Sequence, residues 1–331
     1  MPESTIRDVA RLAQLSVATV SRVLNGFERV SDEARVRVGE AVRELGYVPH
    51  AGARSLSLSR TNAIGVVLPD LHGEFFSEIV RGMDREASRR GYLLLLSNLH
   101  AKSEQATHAL RTMHGRVDGL IVMAPHLSEE ELSHALPPAV PAILINTRDL
   151  DGTRPAIHLD NAAGVGMVVD HLVQVGRKRL IHIAGPNGNI DADERAAAFA
   201  VGCSRHGVSG EILRGDFDER SGERAVGELL DSGDDFDAIF AANDNMAIGA
   251  LEALRSAGIA VPEKVSVVGF DDIPLAKHVG LTTVCVRIAE LGEEALKRLL
   301  NSIEKSGDFD GNRQDLHAPE LIVRATSRSS R

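Results

Sequence analysis

From residue 62 onward, eight short apolar runs recur with helix-length stretches between most of them: "AIGVVL", "YLLLLS", "GLIVM", "AILIN", "AIHL", "RLIHIA", "AIFAA" and "VSVVGF". Strands that are apolar at every residue, not only at alternate ones, belong to sheets buried on both faces, and the amphipathic stretches between them supply the covering helices. The pattern predicts parallel sheets in an α/β body. Eight such strands exceed one six-stranded sheet, and a break near Asp160 divides them into two similar lobes. Ligands of such sheets bind beyond the carboxyl ends of the strands, here in the cleft between the lobes.

The residues before this body follow a helical period. Thr5 with Asp8 forms a capping box, and Ile6, Val9, Ala10 and Ala13 supply one apolar face, so a first helix spans about Ile6 to Ala13. Gln14 and Leu15 make a turn. Ser16 caps a second helix from Val17 to about Asn25, with Val20, Val23 and Leu24 inward and Gly26 ending it. Ser31 caps a third, in which Ala34, Val38, Ala41, Val42 and Leu45 recur before the stop at Gly46 and Pro49. Two short helices and a tight turn with a third helix across them are a helix-turn-helix arrangement, whose second helix can enter a DNA major groove. Arg22 can then read guanine, while Val17 and Ala18 offer apolar contact suited to a thymine methyl. Thr19, Ser21 and Asn25 are placed for phosphate oxygens. A small three-helix bundle with a solvated face is the other reading of the same spacing.

Charge separates the two regions. The formal net charge is -10, yet the first sixty residues hold nine arginines, no lysine and seven acidic residues, against 28 basic and 40 acidic residues in the remainder. An arginine-rich head on an acidic body suits a polyanion at one end only. The two cysteines, Cys203 and Cys285, are far apart and lie in no Cys-x-x-Cys or paired-histidine spacing, so neither a disulfide framework nor a zinc site is expected. The beginning of the chain has no secretory h-region, and no apolar run approaches a membrane span. A cytoplasmic protein without metal or cofactor is expected.

The residues "TIRDVARLAQLSVATVSRVLNG" resemble the start of the LacI/GalR family of bacterial transcription regulators, with "TVSRVLN" its recognition-helix signature. The resemblance continues through "ELGYVPHAGARSLSLSRT", and "IGVVLPDLHGEFF", "HIAGP", "FAANDNMAIGALEAL" and "VPEKVSVVGFDDIPLA" are similar to the effector domain shared with periplasmic sugar-binding proteins. It covers nearly the whole chain. The expected fold is an N-terminal all-α helix-turn-helix head plus an α/β two-lobed periplasmic-binding-protein-like effector domain with parallel sheets. The head takes residues 1–49, the hinge 50–60 and the effector-binding and dimerisation domain 61–331. Three crossings between lobes are implied, giving lobe one about 61–159 and 286–317, and lobe two about 160–285 and 318–331.

The resemblance implies a DNA-contact set of Thr5, Ser16, Val17, Ala18, Thr19, Ser21, Arg22 and Asn25 in the head, with His50, Ala53, Arg54 and Leu56 in the hinge. Ala51 to Leu58 is rich in small residues and lacks a wide apolar face, so by itself it reads as a flexible linker or a marginal helix. In the family this piece folds when two chains meet on operator DNA and wedges a leucine, here Leu56, into the minor groove. His50 stands where the family usually has asparagine, and Gly52 adds backbone freedom.

Sugar hydroxyls are bound by carboxylates, amides and forked arginines, with aromatic faces against the ring. Groups of these kinds follow the strands, and the resemblance places effector contacts at Phe75, Phe76, Arg148, Arg195, Phe217, Asn243 and Asp271. Gly73 and Glu74 stand where sugar-binding relatives often have Asn-Pro, and Thr147 with Arg148 where many have Asp-Arg. Asp191 and Asp70 are the acids placed to substitute for the missing contacts. A monosaccharide or derivative is the first effector expected, and a nucleoside or purine the second. A simple phosphate ester suits these acids poorly.

Catalysis is not expected. "GVVLPD" lacks the G-x-G-x-x-G spacing, no G-x-S-x-G occurs, and the 13 histidines are scattered, most of them surface or satisfied. The expectation is a homodimeric repressor of carbohydrate-utilisation genes on a near-palindromic operator, controlled by the effector. A corepressor-dependent regulator or an activator follows if the effector favours the other lobe arrangement.

Overall fold

The structure, a computed structural model, describes residues 4–27, 29–48, 60–99, 103–137, 140–147, 154–304 and 314–328. It divides into an N-terminal unit, ending at Ala63 and taking in Arg116–Asp118, and a body built from the residues beyond.

The N-terminal unit holds α1 (Ile6–Ala13), α2 (Val17–Leu24) and α3 (Asp32–Leu45). Each start has a side-chain cap. Thr5 donates its amide and hydroxyl to Asp8 Oδ2, Ser16 Oγ accepts from Thr19 N at 3.0 Å, and Ser31 Oγ accepts from Ala34 N at 3.3 Å. The ends at Gln14 and Gly46 are left-handed, with φ of 53° and 57°. Val9, Ala10, Ala13, Val20, Val38 and Ala41 form the core, and Arg37 ties the α1–α2 turn by donating to the Ala13 and Gln14 carbonyls.

The body alternates strands and helices. Lobe one is built from β1 (Ala63–Leu68), α4 (Glu74–Arg90), β2 (Leu93–Asn98), α5 (Ser103–Met113), β3 (Gly119–Met123), α6 (Glu129–Ala135), β4 (Ala142–Ile145) and β5 (Ala156–Leu159). Lobe two follows with α7 (Asn161–Gln174), β6 (Arg179–Ala184), α8 (Ile190–His206), β7 (Ser209–Arg214), α9 (Glu219–Ser232), β8 (Ala238–Ala241), α10 (Asp244–Ser256), β9 (Ser266–Asp271), α11 (Pro274–His278) and β10 (Thr282–Cys285). The chain then returns: α12 (Ile288–Glu304) packs on α4, β11 (Gln314–His317) pairs with β5, and β12 (Glu320–Ile322) pairs with β10. Strand order is β11-β5-β4-β3-β1-β2 in one sheet and β12-β10-β9-β8-β6-β7 in the other, and only the short β12 runs antiparallel among the registered pairs.

Two strands depart from the expected burial. The run "YLLLLS" becomes the edge strand β2, where Leu93 and Leu96 are 71% and 45% exposed. Its apolarity reads as burial only if neighbours are assumed on both sides. Conversely, β7 is polar and exposed along most of its length, and as the far edge of the second sheet it gave no apolar run to detect. Three histidines also depart from a surface or satisfied setting, since Nε2 of His126, His182 and His317 is buried without a hydrogen-bond partner among the described residues. His182 on β6 lies wholly buried between Phe240 and Phe199, 4.6 and 5.1 Å away between ring centroids. Burial pushes its pKa down to about 4, so it is neutral; Nδ1 donates to the Phe240 carbonyl, and Nε2 has no partner among the described residues.

Helix pairs on the two lobes approach through glycine. A Cβ at Gly82 of α4 would lie 1.8 Å from the Ala289 carbonyl oxygen on α12, and one at Gly249 of α10 would lie 1.9 Å from the Glu219 carbonyl oxygen on α9. Backbones meet there at a distance no side chain permits.

Candidate functional site

On α2, Val17, Ala18 and Arg22 are exposed, while Val20 is buried against the head's core. Thr19 and Ser21 are half-buried and partly engaged: Ser16 Oγ lies 2.8 Å from Thr19 Oγ1, and Asn25 Nδ2 donates to Ser21 Oγ at 3.3 Å. The first bond holds Thr19 beside Ser16 at the start of α2, the second ties Ser21 to Asn25 one turn on, and Arg22 stays exposed. Thr5 is exposed at the start of α1. His50, Ala53, Arg54 and Leu56 lie outside the described residues, as does Arg148.

In the body, polar groups gather where strands end. Arg195, on α8 after β6, is 4% exposed with its guanidinium carbon 3.7 Å from the centroid of the Phe270 ring. Its Nε donates to Asn161 Oδ1 at 2.8 Å, and Nη1 donates to the Ala242 carbonyl and stands 3.9 Å from Asp271 Oδ1. Asp271 closes β9 with φ of 116° and is 6% exposed. Burial pushes its carboxyl up to about 7, against the pull of Arg195 and with the Asp191 charge adding to the rise. Behind it, Asp244 is wholly buried and is held well above the usual carboxylate range by burial and then by the Asp271 charge, although Thr283 Oγ1 and Ile273 N donate to it.

Asp191 has both oxygens engaged. Oδ1 accepts from Asn161 Nδ2 at 2.9 Å, and Oδ2 accepts from Asn146 Nδ2 at 3.3 Å. Asn146 belongs to lobe one, so this bond crosses between lobes, as does Ile190 N to the Pro125 carbonyl at 3.0 Å. Phe217, with φ of 65°, presses its ring on Gly185, where a Cβ would sit 2.3 Å from Cζ. Asn243 holds that backbone: Nδ2 donates to the Phe217 carbonyl at 2.9 Å, while Oδ1 accepts from Met246 N at 3.0 Å. Phe75 and Phe76 are half-buried in the first turn of α4 and meet edge to face at 5.3 Å. Asp70 is exposed in its own turn, where Oδ1 accepts from Leu71 N, His72 N and Asn98 Nδ2, and it joins none of the bonds around Arg195.

The structure thus joins Asp191, Arg195 and Asp271 into one network and links Asn243 to Phe217. It adds Asn146 and Asn161, which the sequence reading passed over. Both stand at the ends of apolar runs, "AILIN" and "AIHLDN", so the signal that could have found them is their position after a strand.

Among the described residues, no group of three or more His, Cys, Asp or Glu is placed to hold a metal ion, and no helix is long and apolar enough to cross a membrane. Residues 5–50 match the family model for bacterial regulatory proteins of the lacI family, and residues 169–327 match a periplasmic binding protein-like domain. The HTH-type transcriptional repressor CytR of Escherichia coli (strain K12) is 34% identical over 335 residues, covering 98% of this chain and 97% of that protein. The chain belongs to the lacI family of bacterial regulatory proteins. This lacI-family chain is also similar to the ribose operon repressor of Escherichia coli (strain K12), 35% identical over 308 residues that cover 91% of this chain and 93% of that protein. The lac repressor dimer bound to operator and the anti-inducer ONPF shares its fold with a TM-score of 0.88, at 29% identity over 98% of this chain and 99% of that one. These relatives are repressors. The lacI-family chain is a DNA-binding transcriptional regulator with a helix-turn-helix head and a two-lobed α/β domain.

Proposed function

We propose that this lacI-family regulator is a homodimeric repressor acting in the cytoplasm on a near-palindromic operator, with a sugar as its effector. The Arg195–Asp271 pair carries the reading. It is a forked cation and an acid, both buried at the carboxyl ends of strands, and that pairing suits the vicinal hydroxyls of a sugar. Phe217, Phe75 and Phe76 supply the apolar faces, Asn243 fixes Phe217, and Arg148 is a further effector contact. Asp191, whose oxygens are already engaged, acts through Asn146 and Asn161 in place of direct contact, and Asp70 serves its turn. The head, residues 1–49, places one α2 in each half-site, with Arg22 reading a base and Thr5, Ser16, Thr19, Ser21 and Asn25 on phosphates, while Val17 and Ala18 meet thymine methyls. The hinge, residues 50–60, carries the Leu56 wedge with His50, Ala53 and Arg54 beside it.

The similarity to a ribose operon repressor makes D-ribose the first compound to test. A nucleoside is the second reading, favoured by the Phe75–Phe76 pair, which could cover a base. A thermal-shift screen against D-ribose, other monosaccharides, sugar acids and nucleosides tests both, because a ligand at 100 times its Kd adds about 2.7 kcal/mol of stability. A shift with sugars that is lost in Asp271→Ala supports the sugar reading; a shift with nucleosides alone replaces it.

A further inference from the structure

The loop from Asp271 to Leu275 joins β9 to α11 through backbone that few residues adopt. Asp271 and Asp272 have φ of 116° and 59°, left-handed values that a non-glycine residue keeps only where its surroundings enforce them. Three clamps do so. Ile273 N donates to Asp244 Oδ2 at 2.9 Å, and Asp244 is itself held by Thr283 Oγ1 at 2.5 Å. Asp272 Oδ1 pairs with Arg324 Nη2 at 2.7 Å. Those two clamps lie within lobe two. The third comes from the other lobe: Leu275 N donates to Glu74 Oε2 at 2.9 Å.

Glu74 opens α4 immediately before Phe75 and Phe76. The turn that presents the aromatic pair therefore also holds the far end of the loop whose near end is Asp271. The preceding residue permits this approach. Gly73 has φ of 93°, disfavoured for any side chain, and a Cβ there would lie 3.3 Å from Asn245 Nδ2 of lobe two. The pair Gly73–Glu74 is also where the chain departs from the Asn-Pro of many sugar-binding relatives, and a proline at 74 has no carboxylate to offer.

We propose that Glu74 is a positioning residue for effector recognition: by accepting the Leu275 amide across the cleft, it holds the Asp271 loop and the Phe75–Phe76 turn in one register while the lobes are joined. This rests on the reading of the cleft as the effector site. Glu74 needs no contact with the effector; it sets where Asp271 stands relative to the aromatic wall. A charge-assisted bond between lobes also biases closure, so its loss weakens binding by releasing the loop.

Hydrogen–deuterium exchange on the full-length protein, without any small molecule, reads the bond directly. Glu74→Ala should speed exchange at the Leu275 amide about tenfold, the factor expected from one hydrogen bond of ordinary strength. Glu74→Gln, which keeps an acceptor oxygen, should restore most of the protection, while the segment around Asp244 stays unchanged in both variants and reports an intact fold. Calorimetric titration with D-ribose should then show Kd raised about tenfold in Glu74→Ala and close to wild type in Glu74→Gln. Equal exchange at Leu275 in all three proteins, or equal acceleration in both variants, overturns the bridging role. Faster exchange with an unchanged Kd overturns the positioning role. The exchange result is read without effector, so it stands apart from a failure of the wild-type protein to bind D-ribose, which counts against the sugar reading alone.

Discussion

Asp271 is held near its own titration point, with its carboxyl pushed up to about 7 chiefly by burial. An unfolded aspartate releases its proton near pH 4, so between about pH 4 and 7 the folded protein holds a proton that the unfolded chain has lost. That contribution to stability is present at low pH and falls away as pH rises through this window. Asp271→Asn should flatten part of the decline, which thermal melts from pH 4 to 8 will measure; a slope identical to wild type would show that this carboxyl titrates like an exposed acid. Asp244 has the same sign and remains in the variant, so only part of the slope should go. A proton shared near neutrality also lets Asp271 donate as well as accept toward a hydroxyl, as an ionised aspartate cannot.

Among the elements, the α4–α12 contact depends on Gly82, where a Cβ would enter the Ala289 carbonyl oxygen. Gly82→Ala must therefore separate two helix backbones and should destabilise the protein by about 1–3 kcal/mol in chemical denaturation, the usual range for overpacking. Gly227 lies in α9 with nothing within 4 Å of its would-be Cβ, so Gly227→Ala should instead stabilise by up to about 1 kcal/mol through helix propensity. The same sign for both would show that propensity outweighs the close approach. In the sequence these two glycines look alike, each a lone glycine in a helical pattern. The helix caps were legible because a cap is a local contact: Thr5–Asp8, Ser16–Thr19 and Ser31–Ala34 each lie three residues apart. The exposure of edge strands was not: β2 was legible as a strand but not as an exposed one, and β7 gave no apolar run, because both owe their exposure to where the sheet ends.

For the whole molecule, operator and effector must be coupled by a free energy that is the same in both directions: whatever the effector does to operator affinity, operator DNA does to effector affinity. Leu56→Ala separates the two ends of this coupling. On the proposal that Leu56 is the minor-groove wedge, its removal should reduce operator bending and affinity in a gel-shift assay, because the contacts that a bent duplex permits are then lost. Effector binding to the free protein, followed by thermal shift, should be unchanged. Unaltered operator affinity would sink the wedge.

The sequence by itself determined what depends on local order: the three capped helices of the head, the apolar runs that become β1–β6, β8 and β9, and the recurrence of polar groups after those runs. Arg195 and Asp271 were visible in this way, as residues of suitable chemistry at strand ends. Only tertiary structure decided which polar groups are spent on the protein itself. Asp191 and Asp271 are both acids following a strand, yet the first is bound by Asn146 and Asn161 and the second faces Arg195 with no hydrogen bond between them. Asn146, Asn161 and Glu74 owe their roles to partners between 13 and 201 residues away, brought near by a chain that crosses three times between sheets. Local pattern specifies a residue's chemistry and secondary structure; its partner is set by how the lobes meet, which no periodicity encodes.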